Sequence, residues 1–276
     1  MKLFGKRVLT TCAAAVMVIS MSVTAFAAEL QVKNDDVKVK GVTVVTPLIE
    51  GSQGGAIVDE KVNKQLMVNS FNAMLGIVST RETPKPISSK DFPSVKQAKS
   101  DIKQLGEYLG RRLVQDRIKA KQTTPYYIKV GYDIKTGKSD KTLSVVQEVT
   151  TYTGGAHSNT TYIPNNYDLS TGKEIKLADI FAEGADYKTR LLNLMKIQAK
   201  GEQRIVNKIE EGMKNVQPEG YYCPKEITGN EKFYINAKVG ELNVFYNPGE
   251  IAPISEGRRT FSFGLDTIVD IIRLGK

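Results

Sequence analysis

Pro125-Tyr126-Tyr127-Ile128-Lys129-Val130-Gly131-Tyr132-Asp133-Ile134 leads through Lys135-Thr136-Gly137-Lys138-Ser139-Asp140 to Leu143, Val145, Gln147 and Val149, and the fold is decided here. Tyr126, Ile128, Val130, Tyr132 and Ile134 alternate with Tyr127, Lys129, Gly131 and Asp133. A period of two is the mark of a half-buried strand. The Gly-containing polar turn then returns the chain into a second alternating run, so the stretch predicts an antiparallel hairpin. The hairpin needs apolar cover on one face.

That cover is found upstream. Val58, Val62, Leu66, Phe71, Met74, Leu75 and Val78 follow helical spacing, and Thr83-Pro84-Lys85-Pro86 forbids continuation. A second helix is predicted from Ser94, with Val95, Ala98, Ile102, Leu105, Leu109 and Leu113 on one side. Lys96, Lys99, Lys103, Arg111 and Arg112 occupy the other side, which reads as a solvated face or as a surface for an anionic partner. Before these helices, residues 29–40 are polar and receive no element. Val42, Val44 and Val45 suggest a strand ending near Pro47, and residues 49–56 a glycine-rich loop.

Downstream, Tyr162 and Tyr167-Asp168-Leu169 resume an extended pattern, and Ser170-Thr171-Gly172-Lys173 is a turn. Leu177, Ile180 and Phe181 make a short apolar turn. Asp186 can cap a helix carrying Tyr187, Leu191, Leu194, Met195, Ile205, Ile209 and Met213, with Gly201 marking a kink or a break. Residues 233–238 and 242–246 predict another hairpin, Phe261 and Phe263 a last strand, and Ile268, Val269, Ile272 and Leu274 a short final helix. The fold class expected is α+β: antiparallel hairpins with long amphipathic helices packed on one face, in two interlocked subdomains. The subdomains are drawn at 28–155 and 156–276.

Composition narrows the function classes. The chain has 276 residues, 39 Lys+Arg against 30 Asp+Glu, one His, two Cys and no Trp. Two Cys and one His are too few for the usual zinc sites, and a single His leaves little room for triad chemistry. Residues 1–27 read as a secretory signal peptide: Lys2, Lys6 and Arg7 precede an apolar run that ends at Ala25-Phe26-Ala27. Cleavage there removes three bases and one Cys, leaving 249 residues, a charge of +6, and Cys223 without a disulfide partner. No later run approaches the ~20 apolar residues of a membrane helix. The expected location is therefore secreted or extracellular, in contact with the cell wall or free. Nucleic acid is excluded as a partner by this location and the lack of a binding motif.

The order of three motifs is more specific than any segment. Thr153-Gly154-Gly155-Ala156-His157 follows a strand; Tyr167-Asp168-Leu169-Ser170-Thr171-Gly172-Lys173-Glu174-Ile175 precedes Leu177-Ala178-Asp179-Ile180-Phe181; and Phe245-Tyr246-Asn247-Pro248-Gly249-Glu250-Ile251-Ala252-Pro253 leads to Gly257, Phe261 and Phe263. In this the chain resembles the extracytoplasmic domain shared by RsiV-type anti-sigma factors and the non-catalytic N-terminal part of PdaC-type peptidoglycan deacetylases. The resemblance implies an extracellular α+β domain found mainly in Gram-positive bacteria. In its anti-sigma branch the domain is a receptor for lysozyme. This chain has neither the sigma-binding segment nor the deacetylase domain of those relatives, and so resembles a free-standing secreted copy. It also departs from them at Gly249 and Ile254, near which members often carry aromatics.

Candidate binding residues follow from the two loops: Tyr152, Gly154, Gly155, Ala156, His157, Ser158 and Asn159 in the first, Asn247, Pro248, Glu250 and Pro253 in the second. Glycines let a strand turn sharply, which leaves His157, Ser158 and Asn159 presented at a sheet edge. The other role open to His157 is to hold the loop by bonding a neighbouring strand. Tyr126, Tyr127, Tyr132, Tyr152, Tyr162 and Tyr167 could line a sugar-binding face. Glu148, Asp168 and Glu250 form no recognisable catalytic pair, so no enzyme, metal or cofactor is expected. The expected function is non-catalytic binding of an extracellular protein such as a lysozyme-type muramidase, or alternatively of a cell-wall polysaccharide.

Overall fold

A computed structural model of the chain describes residues 30–76, 92–136, 141–210 and 222–273, without the side chains of 203–210. The expected signal segment 1–27, Val78, the stop at 83–86, the turn at 137–140, Met213 and Leu274 lie outside the described residues. Eight strands in two sheets and three helices make up the described chain. The five-stranded sheet contains β1 (Gln31–Val39), β2 (Val42–Glu50), β3 (Tyr127–Ile134), β4 (Thr142–Tyr152) and β5 (Asn159–Asp168), in that order. The three-stranded sheet contains β6 (Lys232–Asn236), β7 (Glu241–Tyr246) and β8 (Arg259–Gly264). The helices are α1 (Gly55–Leu75), α2 (Val95–Lys119) and α3 (Tyr187–Glu210).

The hairpin read first in the sequence is β3–β4, antiparallel from Tyr127↔Tyr152 to Ile134↔Val145. Its neighbour β2 pairs with β3 in parallel, unlike the all-antiparallel expectation. Two helices lie between β2 and β3 in the chain, long enough to return it to the starting end of the sheet, which a parallel pair requires. β1, which received no element, turns into β2 across Lys40-Gly41, with Gly41 at φ +79°. Its alternation is disguised because Asp35, one of its inward residues, is a carboxylate. Asp35 is buried beside α2 and ion-paired there by Lys99.

One face of the large sheet receives α1 and α2. Val42, Val44, Ile128 and Val130 pack against Met67, Phe71 and Met74 of α1 and Ile102, Leu105 and Leu109 of α2. α2 comes close because Gly106 and Gly110 face the β1–β2 turn: a Cβ on Gly110 would stand 2.3 Å from the Lys40 carbonyl oxygen. α3 does the same for the small sheet, with Leu191 and Met195 against Phe233, Ile235, Val244, Phe261 and Phe263. Gly201 lies within α3, which continues through it.

The sheets meet directly. Ser144 Oγ accepts from the Ile235 amide at 3.0 Å, and Asn166 Nδ2 donates to the Phe233 carbonyl at 2.9 Å, so side chains from β4 and β5 satisfy the free edge of β6. Val146 and Tyr162 pack there on Tyr234 and Phe245. The position 155/156 falls in the connection between β4 and β5, which pair from Thr142↔Asp168 to Thr151↔Asn159.

The expected final helix is replaced by turns, with Thr267 N bonded to Gly264 O and Ile271 N to Ile268 O. The backbone there is used elsewhere: Ala182 N bonds Ile271 O, and Arg273 N bonds Ile180 O. The turn after β5 closes on Asp168, whose Oδ1 accepts from the Ser170 and Thr171 amides. Burial alone would raise Asp168, but these bonds outweigh it and hold the carboxyl below the usual carboxylate range. A carboxyl with a lowered folded pKa stabilises the fold above its unfolded value of about 3.9 and loses that contribution as pH falls through the folded value. The melting temperatures of the protein and of Asp168→Asn should therefore converge as pH drops below that range, and a constant gap would contradict this.

Candidate functional site

Strand parity sorts the candidate residues. Tyr127 pairs with Tyr152, Lys129 with Thr150, and Glu148 with Tyr162, so these six share the face of the large sheet turned away from α1 and α2. Tyr127 and Tyr152 are stacked, with centroids 5.9 Å apart and planes at 27°. Lys129 Nζ lies 4.9 Å from the Tyr127 centroid. The hydroxyls of Thr150 and Thr160 meet at 3.3 Å beside them. From Tyr152 to Glu148 this row covers four steps of β4, roughly 13 Å at strand rise.

The first loop closes the upper end. Gly154 and Gly155 have φ of +105° and +95°, and a Cβ on Gly154 would stand 2.7 Å from the Tyr126 hydroxyl. Only glycine permits that approach with that φ. The Tyr152 hydroxyl donates to the Gly155 carbonyl at 3.0 Å, and Tyr126 packs edge-on to Tyr152. The loop backbone is thus fixed by tyrosines and glycines. Ala156, His157, Ser158 and Asn159 are exposed, and among the described residues no hydrogen-bond partner meets the His157 side chain.

The second loop is organised differently. Asn247 is buried and clasps the outer edge of β5: its Oδ1 accepts from the Tyr162 amide at 2.8 Å, and its Nδ2 donates to the Tyr162 carbonyl at 3.1 Å. Asn63 of α1 makes the same two-bond clasp on Ile49 at 2.7 and 2.9 Å. Glu250 accepts from the Asn247 amide at 2.7 Å and is ion-paired to Lys232 at 2.6 Å. Pro248 is half-buried, and exposed Pro253 leads into a 3-10 turn, Ile254–Glu256. Gly249 has φ +85°, a conformation that any L side chain would adopt only with strain.

Both loops therefore converge on β5. The clasped residue Tyr162 lies three positions from Asn159, roughly 10 Å along the strand. The first loop leaves the side chains of residues 156–159 exposed, while Asn247 and Glu250 are engaged within the protein. Sequence reasoning named Tyr127, Tyr152 and Tyr162 among the tyrosines but missed Lys129, Thr150 and Thr160. Alternation alone could have placed these on one face once the register was known.

Of the other tyrosines, Tyr167 is interior. Burial raises its pKa, and nearby Glu174 adds to this against a hydrogen bond from Asn69. Burial also pushes the Cys223 thiol up, against the pull of Lys196 and Arg259. A thiol so shifted is a poor nucleophile at neutral pH. Among the described residues no three of His, Cys, Asp and Glu stand together as a metal site, and no helix is long and apolar enough to cross a membrane.

Comparison with curated proteins finds no match. Among solved structures, a member of the DUF3298 family from Bacteroides fragilis NCTC 9343 aligns with a TM-score of 0.54 at 18% identity, covering 89% of this chain and 94% of that one. A DUF3298 family protein from Pseudomonas aeruginosa PAO1 aligns with a TM-score of 0.51 at 15% identity, covering 90% and 95%. Residues 178–266, from the turn before α3 to just past the end of β8, match the family described as Protein of unknown function (DUF3298), and the chain shares its fold with these two solved proteins.

Proposed function

We propose that the chain is a non-catalytic binding domain, secreted after loss of residues 1–27, that recognises another protein with the first loop and the outer face of its large sheet. The observation that carries this is the contrast within one surface. His157 is exposed and unengaged among the described residues, yet the loop that presents it is fixed by Tyr152, Tyr126 and two glycines in positive φ. A rigid scaffold presenting free side chains beside stacked tyrosines is how protein-recognition surfaces gain affinity at little ordering cost. A lysozyme-type muramidase is the first partner to test, since the motif order resembles lysozyme receptors. The two sheets, joined through Ser144, Asn166 and Asn247, act as one interlocked platform.

His157→Ala should leave the cooperative melt unchanged and weaken the complex with a muramidase, measured by calorimetric titration, by about tenfold, as expected for an interface residue worth roughly 1.4 kcal/mol. Loss of the melt would instead give His157 a structural role. The same tyrosines and threonines suit a wall polysaccharide as the second reading. Co-sedimentation with purified peptidoglycan, lost at high salt, would favour that partner over a protein.

A further inference from the structure

The lower end of the outer face holds a cation, Arg258, that makes no hydrogen bond from its guanidinium among the described residues. The Arg258 guanidinium lies 4.3 Å from the Tyr162 centroid, 5.3 Å from Phe245 and 6.0 Å from Tyr234. The cation next to it in the chain, Arg259, is paired with Glu202, and Lys232 of β6 is paired with Glu250. Among the described residues Arg258 meets neither a carboxylate at ion-pairing distance nor a hydrogen-bond acceptor. Glu148, opposite Tyr162 in the register, accepts instead from the Thr150 hydroxyl at 3.4 Å. Three rings hold the guanidinium in place, and its planar fork of N–H donors remains for a ligand. Such a fork matches a carboxylate in two parallel bonds, which a lysine cannot reproduce. Lys129, over the Tyr127 ring toward the other end of the row, is likewise without a carboxylate partner among the described residues.

We propose that Arg258 reads a carboxylate of the bound partner, an Asp or Glu side chain on a protein, while Lys129 meets a second acidic group. Lys129 sits two strands across and two residues along from Tyr162, roughly 12 Å away at ordinary sheet spacings. This rests on the outer face being the binding surface, and adds that the matching patch on the partner is acidic. The cations bracket the hydroxyls of Thr150 and Thr160, so charge complementarity sets the register of the partner. Contact with three rings supplies the rigidity that a solvated surface arginine lacks.

The test uses the Arg Nε–Hε signals of the 15N-labelled protein, titrated with poly-L-glutamate and with polygalacturonate. The Arg258 signal should move saturably with poly-L-glutamate, and Arg258→Lys, which keeps the charge over the ring, should bind it about tenfold less tightly with an unchanged melt. General attraction to a basic protein predicts equal binding by both proteins, and that result overturns the inference. So does an unmoved Arg258 signal, which needs no variant to observe, or tighter binding of polygalacturonate, which assigns the face to an acidic glycan. A muramidase complex on the outer face that forms equally well with Arg258→Lys also overturns it, and leaves the proposed binding surface standing. A complex formed elsewhere on the chain removes that surface instead.

Discussion

Gly110→Ala lowers stability by about 2–3 kcal/mol, although alanine is the better helix former by about 1 kcal/mol. The new Cβ would stand 2.3 Å from the Lys40 carbonyl oxygen, inside any real contact distance. Neither side can yield cheaply: the oxygen is backbone of a tight hairpin turn, and α2 is held by Ile102, Leu105 and Leu109 in the core. Gly201→Ala is the control. It lies in α3 with nothing within 4 Å of the added carbon, so it should stabilise by about 0.5–1 kcal/mol. Opposite signs in paired denaturant melts are expected. A Gly110→Ala protein as stable as the original would mean that α2 does not approach the β1–β2 turn this closely.

Asn247→Ala should cost about 2–3 kcal/mol, which for a domain of this size lowers the melting temperature by about 5–10 °C. The substitution strips partners from both the amide and the carbonyl of Tyr162 while leaving Asn247's buried place empty. Among the described residues the loop has no other tie to β5 of this kind, and its own turn is closed by Glu250, whose carboxylate accepts from the Asn247 amide and whose amide donates to the Asn247 carbonyl. Losing the clasp also frees part of the β5 edge, and exposed edges invite pairing with other chains. Self-association on sedimentation should therefore accompany the lower melt. An unchanged melting temperature would contradict the role assigned to Asn247.

The large elements were legible because their signals are local. The alternation at 127–134, the helical spacing at 58–75 and 95–113, and the cap at Ser94 each depend on neighbours in sequence, and each lies in the element expected, with Tyr126 just ahead of its strand. β1 was not legible: its inward Asp35 needs Lys99, 64 residues away, to be tolerated in the interior. The geometry of the candidate site was legible only in part, for the same reason. Glycine pairs announce a sharp turn, so the loop carrying His157 could be found. The roles of Asn247 and Arg258 depend on Tyr162, which is joined to them only by the folded structure. The motif read as a second contact loop also ties the end of β7 to β5 through Asn247.

Amide shift mapping of the 15N-labelled protein on addition of a lysozyme-type muramidase tests the proposed binding surface most directly. A discrete complex is expected, with shifts concentrated at Tyr127, Lys129, Thr150, Tyr152, residues 154–159 and Arg258. Shifts confined to α1 and α2 or to the loop after Asn247, or no shifts together with no complex, would contradict it.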